Sequence, residues 1–118
     1  MRNELPEYPN NIECGIVNID NSFGSGTHWV CYYKNKNKKY YFNSYGNLQP
    51  SKEIVDYLGK DNLRYNEDIV QLIDDPPICG HLCLLVLELF SSGFVFERIL
   101  NVINKEKWQM IEKLVQLL

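Results

Sequence analysis

The most apolar stretch of the chain is residues 82–90, Leu-Cys-Leu-Leu-Val-Leu-Glu-Leu-Phe, apolar at every position except Glu88. A helix that is hydrophobic all round belongs at the centre of a domain. Asp74, Asp75, Pro76 and Pro77 precede it, residue types that suit a helix start and cannot continue a helix backward. The predicted central helix therefore opens at Cys79-Gly80-His81. Ser91, Ser92 and Gly93 read as a break. After it, Phe94, Val95, Ile99, Leu100 and Ile103 recur at helical spacing, and Trp108, Ile111, Leu114, Val115 and Leu118 repeat the pattern over 105–118.

Ahead of the central helix the pattern is that of strands. Residues 1–11 form an irregular lead-in, 12–19 a short β-prone run, and 21–27 a glycine-containing loop. Residues 29–33 and 40–44 are aromatic and β-branched, and the lysine-rich link 34–39 joins them into a hairpin ended by Gly46. Its lysines read as a solvated turn, not as a nucleic-acid patch. Ser51 is the expected N-cap of a helix over 52–58, with Ile54, Val55 and Leu58 on one side and Gly59 as its stop. Residues 63–65 and 69–73 are short extended segments, the second carrying Gln71. Strands first and helices later make an α+β fold, expected as one domain over 1–118.

The hairpin tip alone does not fix the register; the functional requirement that His28 have an orienting partner selects a turn centred between Asn35 and Lys36, which sets His28 opposite Asn43, Val30 opposite Tyr41 and Cys31 opposite Tyr40. Opposed residues have Cβ atoms about 4.5–5.5 Å apart, close enough for an imidazole to bond an amide. A slip of one residue would send His28 and Asn43 to opposite faces. In this register Trp29, Cys31 and Phe42 share the other, core-facing side.

Composition narrows the chemistry. A chain of 118 residues, 45% hydrophobic and 13% aromatic, holds one folded core. A net charge of −3 argues against a nucleic-acid surface as its main business. The opening Met1-Arg2-Asn3-Glu4 is no secretory signal, and no run is long and apolar enough to span a membrane. Reduced thiols and an intracellular setting are the expectation, so the four cysteines read as core residues, metal ligands or catalysts.

Cys79 stands out because unsatisfied N–H groups at a helix start favour a thiolate and point at any oxyanion formed beside it. A thiol protease also needs an imidazole base, a group to orient it and an oxyanion donor. The chain offers His28, Asn43 and Gln71. Cys14 and Cys31 read as small apolar residues on strands, Cys83 as core, and His81 as exposed.

Gly26-Thr27-His28-Trp29-Val30, then Tyr41-Phe42-Asn43-Ser44-Tyr45-Gly46, then Gln71 leading to Cys79-Gly80, resembles the adenovirus-protease-like and ubiquitin-like-protein-protease superfamily of cysteine peptidases. The likeness is closest to the adenain-like proteases of Polinton-type transposons, virophages and large DNA viruses, and it spans roughly residues 13–100. It implies a papain-like-inverted core: a central antiparallel hairpin and a buried helix carrying the nucleophile at its N-terminus. His28 would be the base, Cys79 the nucleophile, Asn43 the orienting residue and Gln71 the oxyanion donor, with Trp29 and Gly80 beside the substrate. The family usually has Asp or Glu at the place of Asn43, and the Gln71–Cys79 spacing is slightly longer than usual. Family members often carry a further N-terminal segment, so the chain reads as a fragment or a minimal form.

The resemblance implies a cysteine endopeptidase that cuts polypeptides after small, glycine-type residues, as in viral or transposon capsid proproteins. Removal of a ubiquitin-like modifier, or an inactive protease-like binding domain, are the alternatives. The expected setting is the host cytoplasm, the nucleus or the virion, and the expected state a monomer. A peptide or nucleic-acid activator is implied by resemblance only. The rival chemistry is zinc on Cys79, His81 and Cys83, with Cys14, His28 and Cys31 nearby in type. Zinc sites use tighter cysteine pairs on a turn, and no second pair exists here, so no metal or other cofactor is expected.

Overall fold

The computed structural model describes residues 10–19, 28–46, 48–67, 69–71 and 78–117. The lead-in before residue 10, the loop 21–27 with Gly26 and Thr27 of the histidine motif, and the acidic-proline start 74–77 lie outside the described residues. Strands β1 (Ile12–Asn18), β2 (Trp29–Asn35) and β3 (Lys38–Phe42) come first, then helix α1 (Lys52–Leu58), strand β4 (Leu63–Tyr65), and helices α2 (Cys79–Ser91) and α3 (Phe96–Leu117). The architecture is mixed α+β, with a four-stranded sheet in the order β1-β2-β3-β4.

β1, β2 and β3 run antiparallel, and β4 is parallel to β3. A parallel neighbour demands a crossover, and α1 lies within it. Side chains of β2 and β3 alternate between two cores. Cys31 and Phe42, with partly buried Tyr33 and Tyr40, pack on Leu82, Val86 and Phe90 of α2 and on Phe96, Ile99 and Ile103 of α3. Val30, Tyr32 and Tyr41 pack on Ile54, Tyr57 and Leu58 of α1. With both faces covered, β2 reads as a nearly continuous apolar run and not as a clean alternation. Burying a side chain such as Leu82 or Ile99 contributes roughly 1.5–3 kcal/mol relative to leaving it exposed.

Aromatic rings fasten the far end of α2. Phe90 stacks on Tyr33 with centroids 4.3 Å apart and planes 1° from parallel, and Tyr40 and Phe96 complete the cluster. α2 is not buried all round as its sequence predicts. Leu84 is 43% exposed and Glu88 is exposed, because the sheet and α3 cover only part of the helix surface.

Three further expectations are corrected. The two helical patterns after Gly93 form one 22-residue helix, since no glycine or proline interrupts 103–105 and the apolar stripe continues through Ile111. Ser51 sits at the N-cap of α1, but its hydroxyl makes no capping bond. The described part of the 69–73 segment is no strand: the N–H groups of Val70 and Gln71 both donate to the Ser44 carbonyl, each at 2.8 Å. The stop of α1 at Gly59 (φ 85°) agrees with the sequence. No helix among the described residues is long and apolar enough to cross a membrane.

Candidate active site

His28 immediately precedes β2, and Asn43 immediately follows β3. Their side chains meet, with His28 Nε2 2.9 Å from Asn43 Oδ1, both residues buried. The register that brings them together differs from the sequence expectation. Cys31 pairs with Phe42, Tyr32 with Tyr41, and Asn35 with Lys38, so the turn is Lys36-Asn37, with Lys36 at φ 56°. Each partner lies two residues further along than expected. An even shift leaves every side chain on its face. His28 then comes level with Tyr45, whose ring stacks on the imidazole at 4.6 Å, and it reaches Asn43 diagonally.

The hydrogen bonds settle the histidine tautomer. Asn43 Oδ1 also accepts the Tyr45 backbone N–H at 3.0 Å, and a main-chain N–H can only donate. The atom facing His28 is therefore the amide oxygen, which requires a proton on His28 Nε2. In the neutral ring Nδ1 then carries the lone pair. Nδ1 is buried and has no hydrogen-bond partner. Asn43 also serves the turn: its carbonyl accepts the Gly46 N–H at 2.9 Å. Orienting the ring and shaping the turn are thus one role. Burial pushes the neighbouring Tyr41 hydroxyl up to about 12, against the pull of its hydrogen bond with the Asn43 side chain.

Asn43 is itself held from behind. Its N–H donates to Asn66 Oδ1 at 2.9 Å, and Asn66 Nδ2 donates back to its carbonyl at 2.8 Å. The β3–β4 ladder ends with Tyr41 paired to Tyr65, and the Asn66 side chain continues that bonding past the end of the strands. Ser44 ties Gln71 to the same place, its hydroxyl donating to Gln71 Oε1 at 2.7 Å. Gln71 is 2% exposed, and this bond sets the plane of its amide. From α3, Lys107 Nζ bonds the Val70 carbonyl, bracing the segment that carries Gln71.

Cys79 is the first residue of α2 and is buried. The first intrahelical bond is Leu82 N–H to the Ile78 carbonyl, at 2.9 Å, so the N–H groups of Cys79, Gly80 and His81 have no acceptor within the helix. Trp29, next to His28, is gripped by the first turn of α2: its N–H donates to Cys79 Sγ at 3.5 Å, and its carbonyl accepts from Cys83 Sγ at 3.6 Å. The grip draws the nucleophile candidate to the residue beside the histidine. The Trp29 indole is 38% exposed. A Cβ on Gly80 would lie 3.9 Å from Trp29 Cδ1, so the two residues adjoin beside Cys79.

The remaining cysteines divide by burial. Cys31 and Cys83 are core, and burial together with the Cys83 contact pushes the Cys31 thiol well up. Cys14, expected as an apolar strand residue, is exposed, because β1 forms an edge of the sheet. His81 is half-buried, not exposed. Among the described residues, no three His, Cys, Asp or Glu side chains are gathered as a metal site requires.

The structure thus brings His28, Asn43, Cys79, Trp29 and Gly80 to one end of the sheet, with Gln71 joined through Ser44. Sequence reasoning missed Asn66 and the supporting parts of Tyr45 and Lys107. Tyr45 lay inside the quoted motif, whereas no local signal marked Asn66 or Lys107. No family model, curated protein or solved structure matches this chain.

Proposed function

We propose that the protein is a cysteine endopeptidase of the adenain-like kind, with a papain-like core in which the histidine precedes the cysteine along the chain. One observation carries the reading. His28 is fixed with its Nε2 proton on Asn43, its Nδ1 lone pair buried without a partner, and Cys79 Sγ bonded to the very next residue at a helix N-terminus.

In the proposed reaction His28 Nδ1 takes the Cys79 thiol proton and the sulfur attacks the substrate carbonyl carbon. The oxyanion sits at the N–H groups opening α2, which have no acceptor within the helix, with the Gln71 amide as the further donor. The C–N bond breaks as His28 returns the proton to the leaving amine, which leaves a thioester on Cys79. Water, deprotonated by His28, attacks the thioester and releases the acid and the thiol. The resemblance implies small residues, often glycine, before the cut, with Trp29 and Gly80 beside the substrate. A viral or transposon proprotein is the proposed substrate class, and a ubiquitin-like conjugate ending in glycine is the second.

The test joins three measurements on the purified protein: iodoacetamide labelling with peptide mapping, hydrolysis of a peptide library, and metal content. Selective labelling of Cys79 and cleavage after small residues, both lost in Cys79→Ala, are expected. Slow labelling without cleavage would favour an inactive binding fold, and stoichiometric zinc would return the thiols to a metal role.

A further inference from the structure

We infer that Asn66 is a positioning residue for the His28–Cys79 pair, acting through the backbone of Asn43; the inference rests on the proposed cysteine-protease chemistry. Asn43 is the orienting group, and two bonds to its Oδ1 restrict the side chain: it accepts from His28 and from the Tyr45 N–H. Those bonds orient the imidazole only if the Asn43 peptide itself stays in place.

The peptide has no strand partner to keep it there. β3 ends at Phe42 and β4 at Tyr65, so no ladder pairs Asn43. The Asn66 carboxamide replaces the missing strand, matching one acceptor and one donor to the N–H and C=O of a single residue. Asn66 is 2% exposed, so water does not offer a substitute for either bond. The need is greater because Asn43 is neutral. A carboxylate attracts an imidazolium over some distance, whereas an amide acts through geometry alone.

Asn66 also lines a cleft of about 440 Å³ with Leu63, Arg64, Tyr65, Glu67 and Phe96. It is therefore a link between that outer surface and the histidine, separate from the catalytic groups themselves.

The experiment compares the full chain with Asn66→Ala and Asn66→Asp. Asn66→Asp keeps an oxygen for the Asn43 N–H and turns the donor to the carbonyl into an acceptor. Two readouts are taken: solvent exchange of the His28 Nε2 proton by NMR, and the pH dependence of Cys79 alkylation by iodoacetamide. In both variants the Nε2 proton should exchange at least about 10-fold faster. Alkylation near pH 6.5 should fall on the order of 10- to 10²-fold, the scale of misorientation effects, with Asn66→Asp the milder. Should Asn66→Ala fail to fold, Asn66→Asp decides. Unchanged exchange in a folded variant would overturn the inference. If Cys79 of the parent protein alkylates no faster than a buried thiol, the protease reading fails, yet the Nε2 exchange still decides whether Asn66 holds the ring.

Discussion

Tyr45 supports His28 twice: its ring lies on the imidazole at 4.6 Å, 26° from parallel, and its N–H fixes the Asn43 oxygen that the imidazole bonds. Replacing the side chain separates the two roles. Tyr45→Ala keeps the N–H and loses the stack, so Cys79-dependent turnover should fall about 3- to 10-fold, the equivalent of ~0.5–1.5 kcal/mol for an aromatic contact. Tyr45→Phe should retain the rate. Full activity in Tyr45→Ala would make the stack mere packing.

Asn43→Asp puts a carboxylate against the same Nε2–H. An anion stabilises the imidazolium of a thiolate–imidazolium pair, so the variant should stay active and extend the alkaline limb of its pH–rate profile. Asn43→Ala removes orientation and should cost on the order of 10²-fold in rate. Undiminished rate in the alanine variant would show that Asn43 serves only the turn at Gly46.

The thiols provide an internal comparison. Cys14 is exposed, whereas Cys31 and Cys83 are core. Iodoacetamide near neutral pH should modify Cys79 fastest, Cys14 at the pace of an ordinary surface thiol, and the other two slowest. Peptide mapping that ranks Cys79 below Cys14 would argue against an activated sulfur.

Far from the site, Glu13 Oε2 accepts from the hydroxyls of Tyr32 at 2.7 Å and Tyr57 at 2.5 Å. Tyr32 reaches it by lying against Gly15, where a Cβ would meet the ring at 2.8 Å. Burial pushes the Glu13 carboxyl up, but the hydroxyls of Tyr57 and Tyr32, the Asn10 N–H and the Lys34 charge outweigh it and hold it below its ordinary value. Burial and Glu13 in turn push Tyr57 up to about 12 and raise Tyr32 further. A depressed carboxyl stabilises the fold above its unfolded value, and that contribution is lost as pH falls through the folded value. A raised phenol contributes below its unfolded value and loses that contribution as pH rises through the folded one. Denaturation across pH should show both limbs, with Glu13→Gln flattening the acid limb and Tyr57→Phe flattening the alkaline one. A stability gap between Glu13→Gln and the parent that stays constant from about pH 3 to 7 would refute the linkage.

Local pattern reached far into this molecule. Apolar periodicity and turn residues located the central helix at Cys79, the hairpin, the stop at Gly59 and the break at Gly93, because each depends on residues adjacent in sequence. The groups a thiol protease needs and the resemblance single out His28, Asn43 and Cys79 together, while the hairpin's two-residue alternation puts His28 and Asn43 on one face. That alternation survived an error in the register because the error was even.

Tertiary structure decided the rest. The link Asn35-Lys36-Asn37-Lys38-Lys39 is polar throughout, so nothing in its pattern says which two residues turn; the left-handed Lys36 and the packing of Phe42 on α2 choose them. Asn66 is 23 residues from Asn43, and its amide finds that backbone only after the α1 crossover lays β4 beside β3. A polar side chain that replaces a missing strand partner is invisible to periodicity, because its partner is a peptide group that every residue possesses.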